Sequence, residues 1–148
     1  MSALAFLYLV FPFLFIFVIH KLEEGLLLRK WNQKRMSEAS AYSPFSDKTF
    51  LPIGCESTKT FVNVAIVELL FVVAVSAAVM VGGSMAVFLW SVVFLAFTLC
   101  MIIHLVQFNI VKGYVPGLVS AIVMLIFAGG CIPIVLRSMV GAQLWSDR

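Results

Sequence analysis

The chain has 148 residues, 63% of them hydrophobic and 11% charged, against about 45–50% and about 25% in an ordinary soluble domain. This balance excludes a soluble enzyme, and the length leaves room for a few membrane helices without a second domain. The net charge of +3 is small and most of it lies in one loop beside apolar runs, a pattern that sets membrane orientation and offers no nucleic-acid surface.

The first apolar run covers residues 3–28 and is broken only by His20-Lys21-Leu22-Glu23-Glu24-Gly25. As a helix it is about 39 Å long, enough to cross a ~30 Å hydrocarbon core with tilt. Pro12 is a candidate kink, and Arg29, Lys30 and the interfacial Trp31 close the run. No charge precedes it and no small-residue cleavage pattern follows, so it reads as a permanent helix and not as a signal peptide. Residues 29–59 read as a polar loop, with Ser37, Ser40, Ser43, Pro44, Ser46, Asp47, Pro52 and Gly54 among mixed charges. Phe45, Phe50, Leu51 and Ile53 within it are either a lid over a cavity or incidental packing.

A second span is expected over 60–81, and the uncharged turn Gly82-Gly83-Ser84 makes the third, 85–111, its antiparallel neighbour. Lys112 to Gly117 interrupts the pattern, and Pro116 suits the first turn of a fourth span over 116–136. Gly129, Gly130 and Pro133 mark close packing or bending there, and Arg137 ends it. The expected fold is therefore all-α, a single membrane domain built as a bundle of four transmembrane helices. Strand-like alternation is absent, which argues against a barrel. Cys55, Cys100 and Cys131 have no CxxC spacing, which argues against a disulfide framework or a zinc knuckle.

An even number of spans puts both termini on one side. Arg29, Lys30, Lys34, Arg35, Lys48 and Lys59 fall in the first loop and Lys112 in the third connection, leaving Arg137 and Arg148 opposite. The positive-inside rule then predicts a cytoplasmic loop 29–59 and outward termini, in a plasma (inner) membrane. The same basic residues give a depth scale. His20 is nine residues from Arg29, Glu68 nine from Lys59, and His104 eight from Lys112. All three should lie about 12–14 Å inside the cytoplasmic boundary. Glu23, Glu24, Asn63, Gln107, Asn109 and Tyr114 come nearer the surface, outlining a polar cavity open to the cytoplasm.

Rotation qualifies this picture. His20, Glu23 and Glu24 stand at i, i+3 and i+4 and share a face, while Lys21 lies aside and can snorkel. Asn63 to Glu68 and His104 to Asn109 are five-residue steps, about 140° apart. They need a wide cavity or an irregular turn.

The ordered set His20-Lys21-Leu22-Glu23-Glu24, Asn63-x4-Glu68, His104-x4-Asn109 and Tyr114-x-Pro116-Gly117 resembles the HXXEE-domain family of small membrane proteins. The resemblance runs from Val18 to about Gly117. It implies a shared site and names no reaction.

Each residue also has a plain structural reading. His20, Glu23 and Glu24 could be an interfacial capping cluster, Glu68 a neutral acid bonded across helices, and His104 a satisfied core histidine. Asn63, Gln107 and Asn109 could be interhelical glue, and Tyr114 part of a helix start. Ionisable groups at membrane depth are nonetheless rare unless they pair, line a cavity or do chemistry. The leading expectation is a membrane enzyme using His20, Glu23, Glu24, Asn63, Glu68, His104, Asn109 and Tyr114 for acid–base chemistry on an apolar or lipid-like small molecule. A metal-assisted version with a divalent metal on His and Glu, and a version with no cofactor, both stay open. Bundle dimetal sites favour Glu-x-x-His, the reverse of the order here, so that analogy lends little. The alternatives are a small proton-coupled transporter and a noncatalytic scaffold or lipid-binding subunit. Oligomers are compatible with each.

Overall fold

Each apolar run folds as one unbroken helix. The computed structural model describes residues 3–39 and 58–146, which form α1 (Ala3–Ala39), α2 (Thr58–Val81), α3 (Ser84–Val111) and α4 (Leu118–Ser146). Three of them are long and apolar enough to cross a membrane, over Lys59–Val81, Ser84–Ile110 and Leu118–Val140, which fits a multi-pass membrane protein. The charged cluster interrupts the described part of α1, so its crossing does not follow from hydropathy in the same way.

Two helices outrun their expected ends. α1 continues through Arg29 to Ala39 and α4 through Arg137 to Ser146. Loss of hydropathy ends a membrane span but does not end a helix, and the added segment of α1 consists mostly of good helix formers with no Gly or Pro. Residues 32–39 are thus helical where a loop was expected. The candidate lid residues Phe45, Phe50, Leu51 and Ile53 lie outside the described residues. Pro116 precedes α4 instead of entering it, in a turn where the Leu118 N–H donates to the Val115 carbonyl at 3.1 Å.

Two short connections set the arrangement. Gly82 (φ 97°) and Gly83 (φ 135°) make the α2–α3 turn, a backbone that side-chain-bearing residues rarely adopt. After α3, Lys112 takes the left-handed conformation (φ 50°) and its N–H bonds to Phe108 O at 2.9 Å. Gly117 then accepts the Ala121 N–H at 2.9 Å and opens α4. α3 and α4 form the most extensive helix pair, and α1 packs against both α2 and α4.

Buried residues recur at helical spacing on every element. On α1 they are Leu9, Val10, Phe13, Ile16, Phe17 and His20, and on α3 Trp90, Phe94, Thr98 and Met101. Phe13 is fully buried, with its ring 5.6 Å from Trp90, 5.5 Å from Phe94 and 5.6 Å from Phe97. The buried hydroxyls are satisfied within this core. Ser76 accepts from Trp90 Nε1 at 3.2 Å, and Thr98 donates to Phe94 O at 2.8 Å. The outer face of α1 carries Phe11, Phe15, Val18, Ile19, Leu22 and Leu26.

Candidate functional site

The core stripes lead directly into the polar residues. On α1 the inward positions Phe13 and Phe17 are followed by His20 and Glu24. On α3, Phe94, Phe97 and Met101 are followed by His104, and on α2, Val75 and Val72 lead back to Glu68. A single layer at one end of the bundle results. The His20 and His104 rings meet at 4.9 Å in an edge arrangement, and Phe97 packs on His20 at 5.5 Å. Glu24 stands between the imidazoles, with His20 Nε2 3.6 Å from one oxygen and His104 Nε2 3.5 Å from the other. Lys21 Nζ lies 3.3 Å from Glu24 and 2.8 Å from Glu68. The layer brings together His20, Glu68 and His104, which the depth scale put at one level, and includes Glu24, which that scale put nearer the surface.

Glu23 points elsewhere. Its carboxylate accepts the Val119 N–H at 3.2 Å, the Ser120 N–H at 3.0 Å, the Ser120 hydroxyl at 2.6 Å and the Tyr114 phenol. It caps the first turn of α4 from another helix, where unpaired N–H groups and the helix dipole favour an anion. Tyr114 thereby serves as a tether, and burial together with the carboxylate pushes its phenol up to about 12, so it stays a donor at neutral pH. Trp31 Nε1 donates to the Tyr114 carbonyl at 2.8 Å and binds α1 to the same connection.

Ser120 fixes the chemistry of His20. Its Oγ lies 2.9 Å from His20 Nδ1 while its proton goes to the Glu23 carboxylate, a group that only accepts. Nδ1 must then carry the imidazole proton and donate to Ser120. The Nε2 lone pair is left facing Glu24, which orients the base as second-layer partners do in catalytic and metal sites.

Gly117 makes the convergence possible. A Cβ there would come within 2.7 Å of His20 Cε1 and 3.1 Å of His104 Cε1, and its φ of +85° already disfavours side chains. Gly25 does the same on the α1–α2 side, where a Cβ would reach 3.0 Å from the Phe61 ring.

The two asparagines do not join. Asn63 is exposed, and Asn109, also exposed, donates to its own helix at Leu105 O, 2.8 Å away. α2 and α3 run without a break through these positions, so the five-residue steps turn both side chains off the face. Ser120 and Trp31 were not anticipated from the sequence as site residues. A hydroxyl three residues after the helix-opening Gly117 was the available signal.

The family described as "protein of unknown function with HXXEE motif" matches residues 11–132, most of the chain. The chain belongs to the HXXEE family. No curated protein and no solved structure matches it. The motif that names the family divides by role here: His20 and Glu24 face the layer between the helices, and Glu23 locks α1 to α4.

Proposed function

We propose that this HXXEE protein is a four-span membrane enzyme whose His20, Glu24 and His104 perform acid–base chemistry on an apolar or lipid-like substrate. The observation that carries this reading is the oriented His20. A relay from Glu23 through Ser120 presents its unprotonated Nε2 to Glu24. Held this way, His20 takes a proton without rearranging, and Glu24 stabilises the imidazolium formed and relays its proton to His104, which returns it to the substrate. Lys21 and Glu68 keep charge balanced beside them. The apolar outer face of α1 supports its crossing the bilayer as the fourth span, and the basic residues of 29–59 support a cytoplasmic loop with both termini outside.

The arrangement favours an enzyme over a transporter. Phe13, Phe17, Trp90, Phe94 and Phe97 fill the bundle next to the polar layer, and a proton pathway would need polar groups through that region. A noncatalytic lipid-binding role would use the same polar layer without turnover.

The test is incubation of the full chain in nanodiscs made from a total lipid extract, followed by mass spectrometry of the lipids. The wild-type protein should convert a lipid-soluble component, and Glu24→Gln should slow that conversion by on the order of 100-fold or more. Identical profiles for both proteins over long incubation would leave binding or scaffolding as the role.

A further inference from the structure

We propose that His20, Glu24 and His104 form a binding site for one divalent transition-metal ion, with zinc chemistry the best fit. With an ion in place the His20 Nε2 lone pair serves as a ligand and not as a base, so the proposal relies on the reading above for the substrate class but not for the site's existence.

Three independent features point to it. The first is spacing. The ligand atoms of the three side chains all lie within 4.8 Å of one another, and Glu24 stands 3.6 Å from His20 Nε2 and 3.5 Å from His104 Nε2. Those distances are too long for good hydrogen bonds. They are close to the separation of about 3.3–3.4 Å between ligands held about 2.0–2.1 Å from a tetrahedral zinc.

The second feature is the acceptor pair. The Ser120 bond leaves His20 Nε2 as a lone pair facing a carboxylate oxygen. A cation between two acceptors aimed at each other satisfies both. Two neutral imidazoles and one carboxylate are a common donor set for zinc or iron and leave a further position for water or substrate. Second-layer orientation is already present in Ser120 and Glu23. His104 Nε2 already faces Glu24, so that ring needs no turn to reach the ion.

The third feature is charge. Glu24 and Glu68 share a single ammonium, that of Lys21, among the described ion pairs, and Glu23 adds a third negative charge next to them, held by neutral donors. A dication together with Lys21 balances the three carboxylates charge for charge. In a weakly polar surround that neutrality matters. Lys21 binds one oxygen of Glu24 and also Glu68, and the remaining lone pairs of the Glu24 carboxylate are open to the ion.

The test is cobalt(II) and zinc titration of the full chain, purified in detergent after chelator treatment, read by elemental analysis and by the visible d–d bands of cobalt. One ion per chain with a four-coordinate cobalt spectrum is expected. Glu24→Gln and His104→Gln should abolish stoichiometric binding. Ser120→Ala should weaken it by about 10–100-fold, while Asn63→Ala binds as wild type. Circular dichroism and monodispersity establish that each variant is folded. Absence of stoichiometric binding by the wild type, or binding unaffected by Glu24→Gln and His104→Gln, would overturn the site. Metal bound without lipid turnover would sink the enzymatic reading alone, and lipid turnover without stoichiometric metal binding would sink the metal site alone.

Discussion

Around Phe13, four further aromatic rings from α1 and α3 hold the helices together chiefly by contact, with Trp90 bonded also to Ser76 of α2. Around Glu23, about 15 Å further along α1, four donors from the start of α4 and the turn before it converge on one carboxylate. In water the aromatic layer would dominate stability. In lipid the exclusion of water from apolar surface contributes nothing to helix association, and packing and interhelical hydrogen bonds remain. The polar layer therefore carries an unusual share of the fold as well as its chemistry. Glu23 and Glu24, adjacent in sequence, divide those two tasks.

Replacing Glu23 with Ala should have the largest effect. It strands the buried Ser120 N–H, at about 1–3 kcal/mol for a buried group left unpaired, and releases the Ser120 hydroxyl, the Val119 N–H and the Tyr114 phenol from their shared partner. A loss of about 3 kcal/mol is expected in reversible unfolding in mixed micelles, together with loss of the fixed His20 tautomer in nitrogen-15 NMR. Phe13→Ala should cost less. The transfer contribution falls away in lipid and only the void remains, at about 24 cal/mol per Å³, on the order of 2 kcal/mol in all. The His20 tautomer should not change. If Phe13→Ala proves more damaging than Glu23→Ala in the same assay, the contrast between the two layers is wrong. Smallest should be Asn63→Ala and Asn109→Ala, each within about 0.5 kcal/mol as exposed substitutions and neither altering lipid turnover.

The asparagines also show how far a one-dimensional reading reaches. Distance from a basic boundary residue fixes depth along a helix, and it brought His20, Glu68 and His104 to one level. Depth does not fix rotation. The five-residue steps already gave about 140° between Asn63 and Glu68 and between His104 and Asn109, and unbroken helices left no irregular turn to cancel it. Ser120 escaped notice because a lone serine in an apolar run is ordinarily explained by a bond to its own helix. Its value depends on a carboxylate ninety-seven residues away in sequence.

Composition and hydropathy by themselves determined that this is an all-helical membrane protein, because apolar runs of span length leave the backbone no other way to satisfy its hydrogen bonds in lipid. Motif order determined the family, and charge spacing determined the level of the polar layer. Tertiary structure alone decided which way each side chain turned. It set Glu23 on the start of α4 and Glu24 between two histidines, and it put Gly117 where any side chain would force those histidines apart. The reason is geometric: neighbours on a helix differ by about 100°, so adjacent glutamates face different partners, and those partners are defined only once the other helices have packed.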